Sequence, residues 1–250
     1  MKIGIESLNQ FEIVRGTFTL AFVIISIMIG IRILLKYFSL KEKAFITVGL
    51  TWIFISSPWW GNAFSFLSIL LFRYAFDAFL YLLLMNAFVP VALMTWVFSL
   101  TELTYPHLKY KLITPYYIIC VSYLVYFIIA LSLDTTLIAN QKGIFDFSRT
   151  LIPTLFAFFA LINVVILGIL FANKALKSPD PRVQWKGKFF FIGIFSFVGA
   201  TLIDTIFVGE YFLLRIIVRL ILIMSGVFYY LGFFLSDKLV NRLIKETTTT

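Results

Sequence analysis

The sequence predicts an all-α, polytopic membrane protein: a bundle of seven transmembrane helices, with the N-terminus outside and the C-terminus inside. Of its 250 residues, 61% are hydrophobic and 13% are charged, and the mean hydropathy is +1.00. Soluble domains carry about 45–50% apolar and about 25% charged residues, so this chain has more apolar surface than a water-soluble core can bury. The charges cluster between apolar stretches of about 20 residues, the length of one spanning helix. A multi-pass protein of the cell membrane is therefore expected.

Residues 1–250 are predicted to form one transmembrane domain, and its apolar stretches are the predicted spans. The predicted spans lie at about 17–38, 44–60, 79–100, 113–133, 150–172, 189–208 and 212–235. The apolar segment 63–72 has only ten residues, which is short for a crossing. It is predicted to be an interfacial or re-entrant helix at the outer surface, or an outward extension of the second span. Residues 236–250 are predicted to form a short cytoplasmic tail.

The distribution of lysine and arginine predicts the orientation. With the N-terminus outside, fourteen of the 21 basic residues fall on the inner side and seven on the outer side, and the inner face carries the whole net charge of +9. Lysine and arginine favour the cytoplasmic loops of membrane proteins, and this face would meet an anionic inner leaflet. The basic loop 174–188 could also dock a cytoplasmic signalling partner. The positive charge is thus attributed to the membrane, and no nucleic acid is expected as a partner.

Several kinds of chemistry are excluded by the residues that the sequence lacks. It contains one histidine, His107, and one cysteine, Cys120, which cannot by themselves supply the usual zinc ligands. No HExxH motif occurs, and no span pairs a serine with a histidine for nucleophilic catalysis. The last span has no lysine to form a retinal Schiff base. We therefore expect no enzyme activity, no catalytic residues, no metal and no cofactor.

Charged residues at membrane depth are the strongest candidates for a binding site, because they are costly there unless they are paired. Asp204 lies sixteen residues after Lys188, or about 24 Å along a helix. Arg215 and Arg219 share one face of the last span, and a short turn that contains Glu210 lets Asp204 reach either arginine. The residues could form an ion pair that fixes the register of two helices. Alternatively, the arginines could line an outer pocket for an anionic group.

Four further residues near the outer surface are candidates for the same pocket. Arg73 and Asp77 are spaced as a second i,i+4 pair, which could extend the polar patch or reach the lipid headgroups. Trp59 and Trp60 match an aromatic belt at the membrane interface, or the aromatic wall of a ligand site.

Two asparagines lie deeper in the predicted spans. Asn86 and Asn163 can donate hydrogen bonds across helices or line the pocket. Pro90, one turn after Asn86, should kink the third span and release a backbone carbonyl group. The kink would border a cavity if one exists there.

The second half of the chain carries a family resemblance. It reads Lys186-Gly187-Lys188-Phe189, Ile203-Asp204, Arg215 to Arg219, and then Tyr229-Tyr230-Leu231-Gly232-Phe233. With its overall layout, this pattern resembles uncharacterised seven-helix membrane proteins of archaea, and it is more distantly similar to the seven-helix sensor regions that precede membrane histidine kinases. The resemblance implies ligand or membrane sensing, with Asp204 and Arg219 at the matching positions. The sequence shows no output domain after Leu235, so signalling is expected to need a separate protein.

Three functions remain open at this point. The favoured one is a receptor-like sensor that binds an anionic or amphiphilic ligand from the outer side and signals through a separate partner. The second is a transporter or channel for a small molecule or lipid. The third is a non-catalytic subunit or scaffold of a membrane complex, with a homo-oligomer as one arrangement.

Overall fold

The computed structural model describes residues 2–206, 212–236, 239–240 and 242. Within them the chain forms nine α-helices and one β-hairpin. The helices are α1 Gln10–Leu40, α2 Ala44–Ile55, α3 Trp60–Phe72, α4 Ala78–Asn86, α5 Val89–Thr104, α6 Lys109–Leu133, α7 Leu151–Leu176, α8 Pro181–Ile206 and α9 Phe212–Phe234. The hairpin strands, β1 Ala139–Gln141 and β2 Phe147–Arg149, pair antiparallel between α6 and α7.

Six helical segments in the described part of the chain are long and apolar enough to cross a membrane: α1, α4 with α5, α6, α7, α8 and α9. The expectation of an all-α, multi-pass membrane protein is therefore confirmed. Most of these helices run beyond the predicted spans. For example, α1 begins at Gln10 instead of residue 17, because Asn9 and Glu12 form a capping box at its start, which satisfies free backbone N–H groups there.

The segment Ala44–Phe72 is helical but broken, and it packs along α1. A Cβ atom at Gly49 would lie 2.6 Å from the Gly30 carbonyl oxygen, and one at Gly16 would overlap the Phe66 ring. The segment thus runs antiparallel to α1 over most of the length of that helix. A 3₁₀ turn, Ser57–Trp59, separates α2 from α3, so residues 63–72 continue the direction of α2 instead of forming an isolated segment.

The loops gather at two ends of the bundle. The hairpin end contains residues 2–9, 73–77 and 134–150, where Ile3 N donates to Arg73 O and Tyr81 Oη donates to Phe145 O. The basic end contains residues 41–43, 105–108 and 177–180, where Lys174 Nζ donates to Thr104 O. The hairpin lies over one end of the bundle and so covers part of its interior.

Two expectations about the third span have different outcomes. The structure interrupts the helix between Asn86 and Val89, directly before Pro90, where a kink was predicted. The expected helical pair of Arg73 and Asp77 is wrong, because α3 ends at Phe72 and α4 begins at Ala78. Arg73 instead ends α3 in the left-handed region, with φ of 53°, and Asp77 caps α4 by accepting from Leu80 N.

Large aromatic side chains fill the centre of the bundle. We call Trp52, Trp96, Phe190 and Tyr229 the aromatic core; all four are almost completely buried. The Trp52 and Tyr229 rings stack with centroids 4.3 Å apart, and those of Trp96 and Phe190 stack at 6.0 Å. The aromatic core therefore joins four elements, α2, α5, α8 and α9, in the interior.

Candidate binding cavity

A cavity of about 500 Å³ lies between the aromatic core and the hairpin. Its walls come from α1, from the α2–α3 and α4–α5 breaks, from α6 to α9, and from the hairpin itself. Ligand pockets in proteins have volumes of about 300–1,000 Å³. The cavity is therefore large enough for a small organic molecule, and residues far apart in the sequence can contact that molecule together.

Basic side chains outnumber acidic ones on the cavity wall. Among the described residues, five basic and two acidic residues line it: Arg15, Lys142, Arg149, Arg215, Arg219, Asp146 and Asp204. Arg215 interacts electrostatically with Arg15 and Arg219, both of which repel it, and with Asp204, which attracts it. An excess of positive charge in a partly desolvated space favours an anionic ligand.

Arg219 and Asp204 form the ion pair that the sequence predicts. Arg219 is 3% exposed, its Nη1 lies 3.0 Å from Asp204 Oδ2, and its Nε donates to Thr19 Oγ1 at 3.1 Å. Trp59 Nε1 donates to the same Asp204 oxygen at 2.9 Å, and the Arg219 guanidinium carbon lies 5.6 Å from the Trp59 ring centroid. This cluster ties α1, α8 and α9 to the α2–α3 break.

A second polar contact joins the hairpin to the α4–α5 break. Arg149 Nε donates to Asn86 Oδ1 at 3.1 Å, and Asn86 Nδ2 donates to Leu82 O at 3.0 Å. Burial lowers the pKa of the Arg149 guanidinium from its ordinary value, and the Asp204 carboxylate offsets part of that effect. Arginine stays protonated at neutral pH, so Arg149 brings a full positive charge to the cavity wall.

Four wall residues each have one buried side-chain atom without a hydrogen-bond partner among the described residues: Arg15 Nε, Asn62 Oδ1, Trp96 Nε1 and Arg219 Nη1. Arg219 Nη1 is nevertheless ion-paired with Asp204. Buried polar atoms are nearly always hydrogen-bonded to protein or to ordered water. Arg15, Asn62 and Trp96 therefore each retain hydrogen-bonding capacity beside the cavity that no described residue uses.

The cavity wall becomes apolar towards the centre of the bundle. Apolar side chains line it there: Phe54, Leu93, Trp96, Phe156, Ala160, Leu161, Val164 and Phe197. Trp96 belongs both to this wall and to the aromatic core. The cavity thus has a cationic region near the hairpin and an apolar region that ends on the aromatic core.

Both broken helices open onto this cavity. Pro58, Trp59 and Asn62 line it at the α2–α3 break, and Asn86 and Val89 line it at the α4–α5 break. Irregular backbone within a membrane bundle is tolerated where protein or a water-filled cavity surrounds it. The two interruptions therefore lie where the fold can satisfy their freed backbone groups.

The structure brings together five of the eight residues that the sequence nominates for a binding site. Arg215, Arg219, Asp204, Asn86 and Trp59 line the cavity. The other three nominated residues are elsewhere in the fold. Trp60 packs behind the wall, where its Nε1 donates to Ser56 Oγ, and the connection 73–77 holds Arg73 and Asp77.

The expected aromatic belt at Trp59 and Trp60 is wrong. The two side chains are 7% and 8% exposed, so they face the interior of the bundle and not the lipid headgroups. The Trp60 ring packs against Phe88, with centroids 5.0 Å apart. The α2–α3 break, which follows the residues Ser56 to Pro58, turns both indoles inward.

The sequence interpretation did not nominate Arg15, Lys142, Arg149 or Asp146 for the site. A signal was available, because Arg15, Lys142 and Arg149 all belong to the smaller group of bases assigned to the outer side. Grouping these residues with Arg215 would have suggested a cluster. Their convergence depends on how α1 and the hairpin pack, which the sequence pattern does not specify.

The described residues contain no group of three or more His, Cys, Asp or Glu side chains that could hold a metal ion. Glu210, which the sequence places in the same charged cluster, and most of the tail 236–250 lie outside the described residues. No protein-family model matches the chain, and no curated protein matches it either. The resemblance to archaeal seven-helix proteins therefore stays a prediction.

Proposed function

We propose that this chain is a receptor-like sensor of the cell membrane that binds an anionic ligand in the cavity from the outer side. The observation that carries the proposal is the concentration of five basic side chains on the wall of one cavity of about 500 Å³. Two of them, Arg149 and Arg219, are held in place by hydrogen bonds. A preorganised cationic wall lowers the entropic cost of binding an anion.

The proposed topology has seven crossings, with the hairpin end outside. The broken segment Ala44–Phe72 would supply the seventh crossing, because it runs along α1 and joins the two ends of the bundle. The excess of lysine and arginine at the basic end favours a cytoplasmic position for that end. The cavity then faces the outside, as a sensor of external ligands requires.

The packing below the cavity favours a binding protein over an open channel. The aromatic core closes the described bundle beneath the apolar wall, and its four rings are almost fully buried. A bound ligand would contact Trp96, which touches both the cavity and this core. Ligand binding could thus alter the packing of α8 and α9 and change the basic end, where the loop 174–188 would meet a separate signalling partner.

A transporter is the second candidate, and the helix breaks favour it. Transporters commonly bind their substrates at discontinuous helices near the middle of the bilayer, and both α2–α3 and α4–α5 break beside the cavity. Liposomes distinguish the two functions. A transporter exchanges labelled ligand across the membrane, whereas a sensor binds the ligand without counterflow.

The binding experiment uses the full chain in nanodiscs of neutral lipid, with octyl phosphate as the anionic probe and 1-octanol as the neutral probe. Octyl phosphate is expected to raise the melting temperature, because a ligand at about 100 times its dissociation constant adds about 2.7 kcal/mol of stability. The substitution Arg15→Gln should weaken binding about tenfold or more, since hydrogen bonds to charged groups contribute about 1.5–3 kcal/mol.

The matched control is Arg73→Gln, which removes a basic side chain at the same end of the bundle but outside the cavity. It should bind octyl phosphate as the unsubstituted protein does. The proposal fails if octyl phosphate and 1-octanol act alike, or if the two arginine variants lose affinity equally. In that case the scaffold function would be the better account of the same residues.

A further inference from the structure

The cavity wall meets the lipid-facing surface between α7 and α8. Phe158 of α7 and Ile206 at the end of α8 both line the cavity, and they are nevertheless 41% and 68% exposed. A residue that belongs both to the cavity wall and to the outer surface of the bundle marks an edge where these two surfaces meet. The cavity therefore has a lateral boundary with the bilayer in addition to its side near the hairpin.

The packing of α7 against α8 differs along the two helices. Towards the basic end, a Cβ atom at Gly168 would lie 3.1 Å from Ile194 Cγ2, and one at Gly187 would lie 2.8 Å from Ala175 Cβ. Towards the hairpin end, both helices line the cavity, with the small side chains Thr154, Ala157, Thr201 and Thr205 among the wall residues. Close packing thus gives way to a gap between the helices.

The charge and the apolar wall together restrict the ligand that fits. Among the described residues, the wall carries three more basic than acidic side chains, which suits a headgroup with more than one negative charge. The apolar residues Phe156, Leu161 and Val164 continue the wall away from these bases. A ligand that uses both regions has an anionic head and a hydrocarbon chain.

We propose that the ligand is a single-chain lipid phosphate, with its phosphate among Arg15, Arg149 and Arg215 and its hydrocarbon chain at the gap between α7 and α8. This inference rests on the proposed anion-binding function and adds the class of ligand and its direction of approach. The hydrocarbon chain of the ligand would enter from the bilayer, so this apolar part never has to cross water.

The test compares inorganic phosphate with butyl, hexyl and octyl phosphate in nanodiscs of neutral lipid. Affinity, referred to the free aqueous concentration of each phosphate, is expected to rise about fourfold for each added methylene group that becomes buried, until the apolar wall is filled. The variant Ala157→Trp fills the gap between α7 and α8. It should retain the affinity for inorganic phosphate and lose most of the dependence on chain length.

The matched control is Leu155→Trp, which places the same side chain on α7 at a lipid-facing position outside the cavity wall. It should show the chain-length dependence of the unsubstituted protein. Equal affinity for all four phosphates would overturn the lipid assignment while leaving anion binding intact. A chain-length dependence that persists in Ala157→Trp would place the hydrocarbon elsewhere. Failure of octyl phosphate to bind at all would reject the proposed function itself.

Discussion

The cavity and the aromatic core lie next to each other between the same helices, α8 and α9. Different contacts hold these two helices together at each place. In the aromatic core, glycines let the helix backbones approach: a Cβ atom at Gly193 would lie 2.8 Å from Tyr229 N, and one at Gly232 would lie 2.8 Å from Phe190 Cβ. In the cavity, Asp204 and Arg219 join the two helices through charged side chains. Close packing leaves no room for a ligand, whereas long polar side chains can hold helices together around an open space.

The largest expected effect comes from breaking the ion pair on the cavity side. Arg219→Ala removes the partner of a buried carboxylate, which typically costs about 3–5 kcal/mol. The free energy of unfolding should fall accordingly, and Asp204→Ala in the same chain should restore part of the loss. A double-mutant cycle on the protein in detergent measures this coupling.

Additive effects of the two substitutions would show that Asp204 and Arg219 do not stabilise each other. The second partner of the carboxylate, Trp59, would then be the main support of Asp204. A strong coupling instead means that charged side chains hold α8 and α9 together at the cavity wall, in contrast to the apolar contacts of the aromatic core.

A smaller effect is expected from crowding the aromatic core. In Gly193→Ala, the new methyl group would meet Tyr229 N at 2.8 Å and Ser225 O at 3.1 Å, both of which are backbone atoms. Because backbone cannot rotate away as a side chain can, α8 and α9 must separate. Overpacking of this kind costs about 1–3 kcal/mol, and thermal unfolding in detergent measures it.

Gly199→Ala is the matched control on the same helix, because a Cβ atom there meets no other atom within 4 Å. It should leave the melting temperature unchanged or raise it, since alanine favours the helix over glycine. If both variants lose the same stability, close approach of α8 and α9 does not hold the aromatic core together.

Sequence patterns predicted the helical membrane fold because hydropathy and helix length are local properties. The pairing of Asp204 with Arg219 was also within reach, since only five residues separate their helices in the sequence. The break between α2 and α3 was only partly within reach: the less apolar run from Ser56 to Asn62 ended the predicted second span near residue 60, but its conformation could not be predicted. The inward position of Trp59 depends on that conformation and was missed.

The rest of the site depends on contacts between distant parts of the chain. Arg149 reaches the cavity because the hairpin lies over the bundle, and Arg15 does so because α1 packs beside α3 and α9. A single sequence assigned both residues to the outer side but could not place them at one point. The packing of the helices decides whether such residues meet. The sequence indicates only that residues of the same charge are expected on the same side of the membrane.

The smallest expected effect concerns the hydrogen bond that supports α7 from behind the cavity. The expectation that Asn163 bonds across helices is confirmed, because Tyr116 Oη donates to Asn163 Oδ1 at 2.6 Å. Tyr116→Phe should lower the free energy of unfolding by about 0.6 kcal/mol, the average for such bonds in membrane bundles. Tyr117→Phe, at an exposed position of the same helix, should change nothing measurable. Equal losses would mean that the hydrogen bond between Tyr116 and Asn163 does not hold α7 in its place beside the cavity.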